Sequence, residues 1–134
     1  EKLLNVTDVF LPNISEWKAM TGISDTEESV EHCRKYKNII AIKNGVDGAF
    51  LWDGFQISKQ PAYLNKNVVD CIGAGDSFDA GFIHKFLQNK SPAECLEFGA
   101  VMGAVNTTAR GGTSAFKNLE GIKSIASKSF NYEF

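Results

Sequence analysis

Apolar residues recur along the chain with two different periods. Short unbroken runs, Val9-Phe10-Leu11 behind Asp8 and Ile39-Ile40-Ala41-Ile42 between Asn38 and Lys43, are too brief for helices and predict buried strands. Pro12 stops the first of them. Ala49-Phe50-Leu51-Trp52 predicts a third strand, reached through a turn marked by Asn44-Gly45 and Gly48. Asp53-Gly54 then predicts a hairpin into Phe55-Gln56-Ile57-Ser58. Between these runs the spacing turns helical. Trp17, Ala19 and Met20 follow Asn13-Ile14-Ser15-Glu16 and stop at Gly22. Ser24-Asp25-Thr26-Glu27 has the form of a capping box and opens a helix through Val30 and Cys33 to about Tyr36.

Beyond Pro61 an extended stretch to Val69 leads into a long helix over 74–88, set by Phe78, Phe82, Ile83, Phe86 and Leu87. Ser91-Pro92-Ala93-Glu94 caps and opens the next, which carries Leu96, Gly99, Ala100, Gly103 and Ala104. Each helix glycine costs about 1 kcal/mol relative to alanine. Two of them four residues apart therefore predict a face that another backbone or a flat ligand approaches closely. Arg110-Gly111-Gly112-Thr113-Ser114 ends that helix in a loop, a last amphipathic helix covers 118–127, and residues 130–134 read as a loose tail. Strands alternating with helices predict an α/β fold with a mainly parallel sheet, and ligand loops at the carboxyl ends of its strands.

Composition narrows the classes. The 134 residues are 43% hydrophobic and 22% charged with a net charge of -2, which fits one modest domain and leaves no basic footprint for nucleic acid. No apolar run approaches a membrane span, so no membrane association is expected. Cys33, Cys71 and Cys95 form no CxxC pair, and His32 and His84 lie outside ligand spacing. Reduced thiols in a cytoplasmic protein are the expectation.

The chemistry concentrates in Asp70-Cys71-Ile72-Gly73-Ala74-Gly75-Asp76-Ser77-Phe78-Asp79-Ala80-Gly81-Phe82. Glycines 73 and 75 permit a tight turn whose N–H groups can approach a ligand, and the helix that follows presents its positive end there. Asp76 places an acid inside this anion site. A dinucleotide fingerprint would need a third glycine where Phe78 stands, and neither a P-loop nor a nucleophile elbow occurs. What remains is a phosphate-cradling turn that carries its own acid.

That stretch resembles the second signature of the ribokinase/PfkB carbohydrate kinase family. Leu11-Pro12-Asn13-Ile14-Ser15-Glu16 resembles the family's Asn-x-x-Glu segment, which also has the form of a capping box. Lys43-Asn44-Gly45-Val46-Asp47-Gly48 resembles its nucleotide-side turn, and Arg110-Gly111-Gly112-Thr113 its late Arg-x-Gly loop. The four occur in family order. The resemblance implies a ribokinase-like three-layer α/β/α fold. Residues 1–134 would form the C-terminal ATP-binding and catalytic part, without the N-terminal substrate and lid part, and would be inactive alone. It implies ATP-dependent phosphorylation of a sugar or related small alcohol. Asp76 would be the base, and the N–H groups of Gly73, Ala74, Gly75 and Asp76 the anion hole. Asn13 and Glu16 would act at the phosphates and at Mg²⁺ through water. Lys43, Gly45 and Gly48, with Gly103, Asn106 and Thr107, would border the nucleoside of ATP. Asp70 and the Ile72 carbonyl are candidate ligands for a monovalent cation such as K⁺. Cys71 and Ile72 replace the two threonines common in this signature, and Ala115 stands where some relatives offer a hydroxyl. Nucleoside or hydroxymethylpyrimidine kinases share the turn, and a non-catalytic nucleotide-binding or regulatory module could retain it. A homodimer is open to the full-length protein.

Overall fold

Residues 2–134 are described in a computed structural model, and their elements follow the predicted order along the chain, although strands and helices do not alternate throughout. After a 3₁₀ turn at Lys2–Val6 come β1 (Val9–Phe10), α1 (Ile14–Thr21), α2 (Thr26–Cys33), β2 (Ile39–Lys43), β3 (Ala49–Trp52) and β4 (Ile57–Gln60). The second half is helical: α3 (Ala74–Leu87), α4 (Pro92–Asn106) and α5 (Leu119–Phe130). Contacts divide the chain into two compact units, Glu1–Pro61 and Ala62–Phe134.

The first unit holds a sheet of order β1-β2-β3-β4. β1 runs parallel to β2, with Val9 opposite Ile39, because two helices separate them and allow a crossover. β2, β3 and β4 pair antiparallel, so parallel pairing gives way at the two short connections, which leave no room for one. Asp53 Oδ1 accepts from the Phe55 and Gln56 N–H groups at 2.9 and 2.8 Å. This side-chain turn consumes Phe55 and Gln56, so β4 begins at Ile57 rather than at Phe55. All four residues of β3 are buried, as a continuous apolar run requires. Trp17 from α1 and Cys33 from α2 pack on Ile40, Ile42, Phe50 and Trp52. Burial pushes the Cys33 thiol up to about 12, which makes it an inert core residue. α2 is capped by Asp25 rather than Ser24, its Oδ1 accepting from the Glu27 and Glu28 N–H groups.

In the second unit α3 and α4 meet through their glycines. A Cβ on Gly99 would stand 3.0 Å from the Phe78 carbonyl oxygen, one on Gly103 3.2 Å from that of Ala74, and one on Gly81 2.7 Å from Met102 Cγ. The small-residue face of α4 is therefore filled by the backbone of α3, which decides between the backbone and the flat ligand. Phe98, Val101, Met102, Ala104 and Val105 of α4 join Ala115, Ala126 and Phe130 in one core. The C-terminal residues are docked rather than loose: Tyr132 N–H donates to Ala126 O at 3.1 Å, and the Phe134 ring meets that of Phe98 edge-on at 5.3 Å.

Candidate active site

Four of the five α-helices among the described residues begin on a side-chain cap: Asn13, Asp25, Ser91 and Asn118. α3 begins on Gly73, which has none. Gly73 adopts φ 77°, and a Cβ there would stand 2.7 Å from Gly112 Cα, so both conformation and space require glycine. Ala74 N–H turns back to Cys71 O, whereas those of Gly75 and Asp76 find no acceptor among the described residues. Gly75 and Asp76 are exposed. The unsatisfied N–H groups and the helix dipole thus open to solvent beside the Asp76 carboxyl, an arrangement suited to an anion.

Side chains brace this turn from three directions. Asp70 Oδ1 accepts from Ile72 N–H at 3.0 Å, and Oδ2 from Gly111 N–H at 2.9 Å, which ties the turn to the Arg110–Gly112 loop. The Gly111 and Ile72 N–H groups, with help from Arg110, hold the Asp70 carboxyl below the usual carboxylate range. Asn106 is fully buried; its Nδ2 donates to Ile72 O at 2.7 Å and its Oδ1 accepts from Ser77 Oγ at 3.1 Å. Thr107 O accepts from Val69 N–H at 2.9 Å, while its hydroxyl accepts from Asn65 Nδ2 at 2.9 Å and donates to Ala104 O at 2.7 Å. Asn106 and Thr107 spend their polar atoms on holding the 65–77 segment, and Gly103 faces α3. Ser77 and Asn65 escape sequence reasoning, because nothing local marks a serine or asparagine whose partner lies 29 or 42 residues away.

In the first unit the candidates gather where β1 and β2 end. Lys43 N–H donates to Pro12 O at 2.9 Å, and Asn13 and Lys43 form a parallel bridge, so the Asn13–Glu16 segment and the Lys43–Gly48 turn share the carboxyl edge of the sheet. Asn13 and Glu16 form a complete capping box: Glu16 N–H donates to Asn13 Oδ1 at 2.9 Å, and Asn13 N–H to Glu16 Oε2 at 2.8 Å. The second Glu16 oxygen is not used by the box, and the residue is exposed, so water-mediated contact with Mg²⁺ remains chemically open to it. Gly45 at φ 55° is exposed and Gly48 at φ 89°, ψ -143° is buried, the latter a conformation restricted to glycine. Among the described residues no three His, Cys, Asp or Glu side chains cluster to hold a metal, and no helix is long and apolar enough to cross a membrane.

The sequence matches the pfkB family carbohydrate kinase over residues 1–118. An uncharacterised sugar kinase from Archaeoglobus fulgidus is 34% identical over 106 residues, which are 78% of this chain and 41% of that protein. The chain spans about two fifths of the length of the curated relatives it matches. A solved ribokinase from Thermotoga maritima is similar with a TM-score of 0.81 at 24% identity, covering 95% of this chain and 44% of its own. Ribokinase of Arabidopsis thaliana, solved with ribose and ATP, gives a TM-score of 0.80 at 28% identity, over 92% of this chain and 42% of its own. Fold, motif order and family match coincide, and the chain belongs to the pfkB family of carbohydrate kinases.

Proposed function

We propose that the full-length protein transfers the γ-phosphoryl group of ATP to a hydroxyl of a sugar or related small alcohol, and that residues 1–134 form its nucleotide-side, catalytic part. The observation that carries this reading is the α3 start, opened on a left-handed glycine without a side-chain cap and holding Asp76 in its first turn. Asp76 accepts the proton of the attacking hydroxyl. The freed oxygen bonds to the γ-phosphorus, the bond from that phosphorus to the β-bridging oxygen breaks, and ADP leaves. The N–H groups of Gly75 and Asp76, with that of Gly73 alongside, neutralise charge on the transferring group, while that of Ala74 is held by the Cys71 carbonyl. In a loose transition state such positioned donors supply most of the help available.

Asn13 and Glu16 act toward Mg²⁺ through water, consistent with the oxygen that the capping box leaves unused. Lys43 and the Gly45–Gly48 turn serve the nucleotide, with backbone contacts foremost. The Asp70 carboxylate and the Ile72 carbonyl are hard oxygen donors with lone pairs left beyond their hydrogen bonds, and suit a monovalent cation such as K⁺. ATP and a sugar as ligands are supported by the Arabidopsis ribokinase structure, which holds both. The test uses the full-length protein, ATP-Mg²⁺ and a panel of sugars and nucleosides, with ADP formation as the readout. Asp76→Asn should lower kcat about 10³-fold while leaving nucleotide binding intact. Turnover equal to wild type in that variant would remove Asp76 as the base.

A further inference from the structure

We propose that Asn106 is a positioning residue for phosphoryl transfer, a strap that sets the direction of the N–H groups in the Gly73–Asp76 turn. The proposal rests on the reading of that turn as the phosphoryl site. Its footing is one buried amide that grips both flanks of the turn. Nδ2 donates at 2.7 Å to the carbonyl of Ile72, the residue immediately before Gly73, and Oδ1 accepts at 3.1 Å from the hydroxyl of Ser77, immediately after Asp76. The Ile72 carbonyl can only accept, so the amide has a single orientation in which both ends are satisfied.

Two features make this strap informative. The turn between its ends has no side-chain cap, and its glycines are the residues least able to choose one backbone conformation for themselves. Asn106 also ends an otherwise apolar helix face, next to Val105 and one turn beyond Val101 and Met102, all buried. An aliphatic side chain would satisfy that packing. A buried amide is costly unless hydrogen-bonded at both ends, so its partners explain its presence. Those partners are the residues that bracket the anion turn. An error of about 1 Å in donor placement can cost on the order of 10²-fold in rate without touching substrate.

The experiment compares Asn106→Leu, Ser77→Ala and Val101→Ala in the full-length protein, the last as a packing control in the same helix. Thermal stability, affinity for a non-hydrolysable ATP analogue and steady-state kinetics are measured for each. Asn106→Leu should lower kcat by about 10- to 100-fold with analogue affinity within about threefold of wild type, and Ser77→Ala should lower kcat by a smaller factor in the same pattern. Val101→Ala should lose stability and keep its kcat. Three results would overturn the proposal. One is a kcat loss in Asn106→Leu that Val101→Ala matches at equal stability. Another is wild-type kcat in folded Asn106→Leu. If that variant does not fold, wild-type kcat in Ser77→Ala has the same force. Asp76→Asn separates the two readings: if it is inactive while the strap variants turn over normally, only the strap is wrong. If it retains full turnover, the phosphoryl-site reading and the strap both fall.

Discussion

In the first unit the Asn44–Gly48 turn is closed by backbone bonds, Asn44 N–H to Gly48 O at 2.8 Å and Asp47 N–H to Asn44 O at 3.0 Å, and no side chain caps it. In the second unit the Gly73 turn is held by side chains distant in sequence, Asp70 on Gly111 and Asn106 on Ile72 and Ser77. The difference extends to space. Nothing lies within 4 Å of a Cβ placed on Gly45, whereas one on Gly73 would meet Gly112 Cα at 2.7 Å. The capping logic is inverted as well. Asn13 and Glu16 satisfy the start of α1 reciprocally, and the start of α3 is left open. Among the described residues the other four α-helices carry side-chain caps and α3 is bare, while the loop before it is tied down, so the Gly75 and Asp76 donors stay free and held in place.

Substitutions can break this contrast in order of expected size. Gly73→Ala meets both the left-handed backbone and the Gly112 contact, and should cost about 2–5 kcal/mol in urea unfolding of the full-length protein. A loss as small as that at Gly45 would mean that the Arg110–Gly112 loop yields freely. Asn13→Ala removes a helix cap and should cost about 1–2 kcal/mol, with a further drop in apparent Mg²⁺ affinity measured by titrating activity against the ion. A stability loss with unchanged Mg²⁺ dependence would confine Asn13 to capping. Gly45→Ala strains the backbone without a clash and should cost about 1 kcal/mol.

The smallest effect concerns pH. The folded Asp70 carboxyl is held below its ordinary range, so it releases its proton more readily than in the unfolded chain. Its stabilising contribution is therefore complete at neutral pH, begins to fall below about pH 4, and disappears as pH drops through the folded value. The Tm gap between wild type and Asp70→Asn should shrink over that acid range. A gap independent of pH would detach the effect from ionisation.

Much of this was legible locally. Val9-Phe10, Ile39 to Lys43 and Ala49 to Trp52 announce their strands because unbroken apolar runs have few other places to go. Ser91-Pro92-Ala93-Glu94 announces its helix because all the capping partners lie within four residues. The misreadings share the opposite property. β4 starts two residues late because one Asp53 oxygen claims two N–H groups, and the 130–134 segment docks through rings on Phe98, more than thirty residues away. Asn106 and Thr107 read as ligand-facing from family position. Their side chains turn instead to Ile72, Ser77 and Asn65.

The sequence by itself determined the helices, the strands, the glycine turn with its acid and the family, because each depends on periodicity, capping or a contiguous motif. Only the tertiary structure decided that the small-residue face of α4 receives the backbone of α3, that Asp70 fastens the turn to Gly111, and that Asn106 holds both flanks of it. Those bonds join residues up to 41 positions apart. A hydrogen bond is chosen by distance and direction in space, and the order of residues along the chain carries no record of either until the chain has folded.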